Sequence, residues 1–260
     1  MRWPAEAVWE RVAPRLPGFT VEILPELDST NTELMRRARA GRAEPVLLVA
    51  QRQTAGRGRL GRAWASAPGD SLTFSLGLPY APAGWSGLSL AVGVAVAEAL
   101  HPRIALKWPN DLWLDGRKLA GILVETASAA GAAPGAGRYA VVGIGINIAP
   151  RPAEGLSTPP ASLRELWPEA DAAAALDRIA LPLVQALQGF EQHGFAPFQA
   201  RYAARDALRE RAVALSDGTA GTAHGVGDDG ALLVHTAAGM KSVTSSEVSV
   251  RPVPPGSVAD

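Results

Sequence analysis

The chain has 260 residues, 47% of them apolar, with 25 Lys plus Arg against 25 Asp plus Glu and no cysteine. Such an apolar fraction offsets the entropy of ordering a chain and excludes wholesale disorder, while the length suits one large domain or one with a small companion. A net charge of zero leaves no global field for nucleic acid or an anionic membrane, and the missing thiols exclude disulfides, Cys nucleophiles and Cys-ligated metals.

The opening MRWPAEAVWERVAPRLPG mixes Trp, Pro and charge and does not read as a signal peptide. The longest apolar stretch, Gly87 to Leu100, holds Glu98 and falls short of the roughly 20 residues needed to span a bilayer. A soluble, cytoplasmic protein with no membrane partner is therefore expected.

A short amphipathic helix is predicted over Ala5 to Arg15, then a break at Pro17-Gly18 and a strand over Phe19 to Leu27 interrupted by Pro25. Asp28-Ser29-Thr30-Asn31 supplies four helix-capping residue types before a helix over Thr32 to Ala40. Val46 to Ala50 reads as a buried strand, followed by a Gly/Arg-rich loop, a strand near Leu72 to Leu78 and a helix over Ser86 to Leu100. Asp115-Gly116 between apolar runs predicts a tight hairpin turn. The low-complexity run ASAAGAAPGAG reads as a surface loop, and Tyr139 to Ile148 as a further strand. From Ser162 to Arg209 several helices are expected, cut by Pro168, Pro182 and Pro197. Beyond Leu208, turn signals every 8 to 12 residues suggest a small antiparallel barrel, with a frayed tail RPVPPGSVAD. The mixed α/β order gives two domains, 1–207 and 208–260.

Three segments could carry chemistry. In AQRQTAGRGRLGRAW, Arg52, Arg57, Arg59 and Arg62 stand with no acid until Asp70, and glycines at 56, 58 and 61 let backbone approach a ligand. That pattern suits an anion-binding loop, a plain surface loop or an RNA-binding strand alike. GxGxxG is met only at Gly56 to Gly61, where Trp64, Pro68 and Gly69 interrupt any following helix, so a dinucleotide fold is rejected. Next, LKWPNDLWLDGRKLAGILVE gathers Lys107, Asn110, Asp111, Lys118 and Glu125 around the hairpin. Each alone reads as a solvated strand face, but a lysine in so apolar a run is costly without an anion. Asn110 and Asp111 offer hard oxygens suited to Mg²⁺ on a nucleotide. Finally, in VVGIGINIA, Gly143 and Gly145 bare one face of a strand, for a flat ligand or for a packed helix, with Asn147 beyond.

Taken together, DSTN, QTAGRGRLGRAW, KWPNDLWLDGRKLAGILVE and VVGIGINIA resemble the biotin protein ligases, in that family's order, over about Asp28 to Pro150. The resemblance implies a class II aminoacyl-tRNA synthetase-like catalytic domain, a mixed sheet with flanking helices, plus a C-terminal SH3-like β-barrel. It implies an enzyme that joins biotin to ATP with Mg²⁺, forms biotinyl-5'-AMP and biotinylates one lysine of a biotin carboxyl carrier protein. Lys118, Arg59 and Asp111 would be catalytic, with Asp111 also the choice for the metal. Ser29, Thr30, Asn31, Gln53, Gly56, Arg57, Gly121, Gly143 and Gly145 would bind biotin. Arg57, Arg59, Arg62, Trp64, Lys107, Asn110, Lys118 and Asn147 would bind the nucleotide. Both nucleophiles then belong to substrates, in keeping with the lack of Cys and of triad or metal spacing among His101, His193, His224 and His235. With 27 residues ahead of DSTN, too few for a helix-turn-helix with a wing, a monofunctional ligase without specific DNA binding is expected. The acceptor carboxylase and the choice between monomer and homodimer stay open. Lipoate or octanoate transfer on the same fold is the runner-up.

Overall fold

The computed structural model describes residues 2–128, 138–156, 158–244 and 250–253. Most of the predicted Ala/Gly surface loop and the end of the tail lie outside them.

A seven-stranded sheet forms the larger part: β1 (Thr20–Leu27), β2 (Val46–Gln53), β3 (Ser71–Tyr80), β4 (Ala105–Lys107), β5 (Asp111–Leu114), β6 (Arg117–Ala127) and β7 (Arg138–Asn147), in the order β1-β2-β3-β7-β6-β5-β4. Only β1 and β2 run parallel, as the helix between them, α2 (Thr30–Arg39), requires, since a parallel pair needs a crossover. Ser29 caps α2, its hydroxyl accepting from the Thr32 amide at 3.4 Å. At the hairpin between β5 and β6, Asp115 and Gly116 take φ of 49° and 77°, the paired positive values of a type I′ turn.

The two sheet faces differ. On one, Leu47, Val49, Phe74, Val142, Ile144 and Ile122 pack under α3 (Leu88–Leu100) and α4 (Ala172–His193), with α1 (Ala5–Val12) and α5 (Ala196–Ala203) alongside. Apolar nearly all round, α3 is buried between sheet and helices, and Gly93 lets Leu106 approach closely. On the other face, among the described residues, α2 is the helix that packs, its Leu34, Met35 and Ala38 against Val46, Leu48, Tyr139 and Val141. Beyond that patch the same strands present Thr73, Ser75, Gly143, Gly145 and Gly121, too small or too polar to hold a second helix, and the sheet lies open to a cavity.

Pro182 does not cut the chain as expected: α4 runs through it for 22 residues. One lost backbone hydrogen bond is outweighed by burial along the helix, from Leu176 and Ile179 before the proline to Leu183 and Leu187 after it. Pro197 instead opens α5, where a missing N–H costs nothing.

The C-terminal strands β8 (Ala212–Leu215), β9 (Ala220–Val226), β10 (Leu232–Thr236), β11 (Gly239–Val243) and β12 (Val250–Pro252) form an antiparallel sheet in the order β11-β10-β9-β8-β12. The first residues of the tail, expected to fray, join the sheet instead, Arg251 and Pro252 pairing with Ala214 and Val213. Among the described residues no helix is long and apolar enough to cross a membrane.

Candidate active site

The cavity, about 220 Å³, sits on the open sheet face. Its floor is one register row: Ala50, Thr73, Gly145, Gly121, Asp111 and Lys107 pair in turn across β2, β3, β7, β6, β5 and β4. Directly paired residues share a face, so neutral and glycine positions run into a carboxylate and an ammonium at one end.

At that end cations outnumber anions. The Lys118 ammonium lies 2.7 Å from Asp111 Oδ1, and Lys107 Nζ 3.9 Å from Asp111 Oδ2. Lys107 is 9% exposed, and burial pushes its ammonium below the usual lysine value; Asp111 opposes the shift, while Lys118, Arg62 and Arg59 add to it. Burial likewise lowers the Arg59 guanidinium, against the pull of Asp111. Three cations around one carboxylate, with Arg62 beside Lys107 and Arg59, make a site that an anion completes. The sheet register slips between Leu112 and Trp113, as bulges beside active sites commonly do, and Lys118 comes to lie 3.4 Å from where a Cβ on Gly121 would be. Its backbone is strapped on both sides, with Lys118 N donating to Pro159 O at 2.9 Å and Ala161 N to Lys118 O at 2.8 Å.

The arginine segment arches over this floor. Gly56 accepts from Trp64 N at 2.8 Å, and a Cβ there would sit 2.4 Å from Trp64 O, so only glycine allows the loop to close at its base. Arg59 reaches Asn110 Oδ1 at 3.5 Å, while Leu60 stands exposed at the tip with φ of 55°. The Trp64 indole covers Gly145 and Gly121, and its ring centroid lies 5.7 Å from Lys118 Nζ. Trp64 Nε1 and Trp113 Nε1 both line the cavity buried and without a hydrogen-bond partner among the described residues, as donors awaiting an acceptor would be.

The opposite end is polar but uncharged. Thr30 N donates to Gln53 Oε1 at 2.7 Å, and Ser75 Oγ lies 2.7 Å from Thr30 Oγ1 and 2.6 Å from Asn31 Oδ1. Ser29, Thr30 and Asn31 are each 3% exposed and Ser75 is fully buried.

All the residues given a role through the resemblance line this one cavity except Gly56, which closes the loop base, while Arg52 pairs with Glu26 at the surface. Two faces are filled differently from the flat-ligand reading: Asn31 lies where a Gly143 Cβ would project, and Trp64 covers Gly145. Asn147 also spends its amide on structure, donating to Ala161 O at 3.0 Å and Lys118 O at 3.2 Å. Sequence reasoning passed over Ser75 and Thr73, although polar Ser71, Thr73 and Ser75 alternate along an otherwise apolar strand. It also gave Glu125 no role, whereas Glu125 pairs with Arg57 at 3.0 Å.

For a divalent cation the donor set is sparse. The Asp111 carboxylate already faces two lysines, and no group of three His, Asp or Glu gathers among the described residues. Such a set fits a Mg²⁺ ion carried in by a triphosphate and met by one carboxylate, not an ion held by protein alone.

The pattern of the biotin/lipoate A/B protein ligase family matches residues 24–147, and that of the biotin protein ligase C terminal domain matches 212–251. The chain is 36% identical over 253 residues to the bifunctional ligase/repressor BirA of Escherichia coli (strain K12), covering 93% of this chain and 77% of that protein. It is 34% identical over 244 residues to the biotin--[acetyl-CoA-carboxylase] ligase of Paracoccus denitrificans, covering 87% of this chain and 98% of that one. The fold matches the biotin protein ligase of Aquifex aeolicus in complex with biotin and ATP, with a TM-score of 0.76 at 30% identity over 90% of this chain and 99% of that one. An anion cradle and a neutral polar pocket on one sheet face, in a chain with these relatives along most of its length, place it in the biotin protein ligase family.

Proposed function

We propose that this cleft joins biotin to ATP with release of pyrophosphate, holds biotinyl-5'-AMP, and passes the biotinyl group to one lysine of a biotin carboxyl carrier domain of acetyl-CoA carboxylase or a related carboxylase. The observation that carries the reading is the meeting, on one sheet face, of the polar Thr30, Gln53 and Ser75 cluster with Lys107, Lys118 and Arg59 set around Asp111. A ureido ring needs neutral donors and acceptors, since each unpaired amide group in an apolar pocket costs roughly 1–3 kcal/mol. A triphosphate needs the cations.

The attacking atoms are the biotin carboxylate and then the acceptor amine, so the protein contributes placement and charge. Lys118, held by its strapped backbone, would meet the carboxylate and α-phosphate oxygens as negative charge grows on the phosphorus. Arg59, Arg62 and Lys107 would stabilise the departing pyrophosphate, and Trp64 would flank the adenylate. Mg²⁺, brought with ATP, supplies charge neutralisation on the phosphates, with Asp111 the residue to meet it or to orient the incoming amine. Ser29, Thr30, Asn31, Gln53 and the backbone at Gly121 would enclose the ring. We further assign catalysis to residues 1–207 and a separate C-terminal domain to 208–260, with β12 bordering the cleft. The site's cations face an inner cleft in a chain of zero net charge, which supports a ligase without specific DNA binding.

Incubation with labelled biotin, ATP and a purified carrier domain tests this. ATP-dependent label on a single carrier lysine is expected; no incorporation, or lipoyl transfer in its place, would overturn the reading.

A further inference from the structure

We propose that Glu125 is a positioning residue that tethers the base of the arginine loop to the wall of the biotin pocket through Arg57 and Asn31. The inference rests on the reading of the Thr30 and Gln53 pocket as the vitamin's site.

Glu125 lies near the end of β6, outside the register row that forms the cavity floor. Its carboxylate accepts from Arg57 Nη2 on both oxygens, at 3.1 and 3.0 Å, and Oε2 also accepts from Asn31 Nδ2 at 2.8 Å. Arg57 Nε meanwhile donates to Thr32 Oγ1 at 3.2 Å, so the start of the arginine loop is pinned to both β6 and the first turn of α2. From Glu125 the contacts continue inward through Asn31 and Ser75 to Thr30 and Gln53 without a gap.

Chemistry fixes how Asn31 sits in that chain. A carboxylate only accepts, so Asn31 turns its NH₂ to Glu125 and to Leu123 O, and its carbonyl oxygen to Ser75. Asn31 can do this because Gly143 leaves room, where a Cβ would lie 2.1 Å from Asn31 Oδ1. One acidic side chain therefore sets the orientation of a buried amide on the pocket wall and balances the charge at the base of the loop. A purely structural ion pair would need only Arg57.

Glu125→Gln is isosteric but neutral and keeps one acceptor oxygen for Arg57 and Asn31 to share. Two measurements test the tether. In ligand-free protein, trypsin should nick the variant within residues 57–62 several-fold faster than the parent, at unchanged far-UV circular dichroism. In the full reaction, KM for biotin should rise roughly tenfold, the cost of one charge-assisted contact, while kcat at saturating biotin changes little. Adding Glu125→Gln to Arg57→Gln should leave cleavage after Arg59 and Arg62 no faster than in Arg57→Gln alone. Unchanged nicking in Glu125→Gln overturns the proposal, as does a fall in kcat with KM unmoved. If the parent protein gives no heat with biotin, the pocket's assignment fails, and the ligand-free nicking still judges the tether.

Discussion

Lys118 stands where three constraints meet: its backbone is bound on both sides, its ammonium touches Asp111, and its chain lies along Trp64 and Gly121. Lys118→Ala removes the charge without freeing the strand, because the backbone bonds to Pro159 and Ala161 remain. We expect adenylate formation, followed as pyrophosphate release, to fall by about 100-fold or more with the circular dichroism unchanged, the scale of losing one preorganised charge at a reacting centre. Gly145→Ala tests the floor. Its Cβ would stand 2.4 Å from Trp64 Cε2, so the indole must lift, and KM for ATP should rise roughly tenfold or more. Residue types and spacing announced this site through Lys118, Asp111 and the arginines, whose charges are costly in apolar or crowded sequence. Ser75 gave no such signal, because its meaning depends on Thr30 and Asn31, more than 40 positions away. Ser29 shows that two readings can hold at once, since the residue caps α2 and lines the cavity.

Elements defined by local chemistry were legible, and those decided by tertiary burial were not. The Asp115-Gly116 turn was readable because positive φ is a property of the residues that adopt it. Nothing lies within 4 Å of a Cβ built on Gly116, so Gly116→Ala isolates backbone strain. It should cost about 1 kcal/mol, seen as a lower denaturant midpoint at constant slope. Pro182 shows the opposite case: a local breaker signal lost to apolar burial along 22 residues of α4. The start of the tail misled for the same reason, since Arg251 and Pro252 look frayed until Ala214 and Val213 are found beside them. Strands β1, β2, β3 and β7 were legible in sequence to within a few residues and β5 and β6 through their turn, while the three-residue β4 carried no signal. Their row order, which brings Gly121 and Gly145 beside Asp111, follows from pairings that no single segment encodes.

Across the whole molecule the C-terminal strands meet the larger part at a tight seam. Trp108 Nε1 donates to Gly230 O at 3.1 Å, and a Cβ on Gly230 would lie 2.6 Å from the Gly87 Cα. Ala207 N donates to Leu106 O at 2.8 Å, holding the connecting segment against β4. Asp206 lies in this seam, with Oδ1 accepting from Leu208 N at 2.9 Å and Oδ2 buried without a partner among the described residues. Burial raises its carboxyl above the ordinary 3.8. A folded value above the unfolded one favours the native state fully only below the unfolded value, and that share of stability is lost as pH climbs through the folded one. Asp206→Asn keeps the Oδ1 acceptor and never ionises. Its melting temperature should therefore exceed the parent's at pH 7, by on the order of 2–4 °C, with the advantage gone near pH 3, as differential scanning calorimetry would show.

The cavity is bordered by residues from Ser29 to Pro252. Translation delivers them one after another, so a growing polypeptide carries an unfinished pocket until Val250 to Pro252 leave the ribosome and join β8. Chains stalled or clipped ahead of that point would have one side of the cleft missing, so the last residues made bear on whether the site is complete.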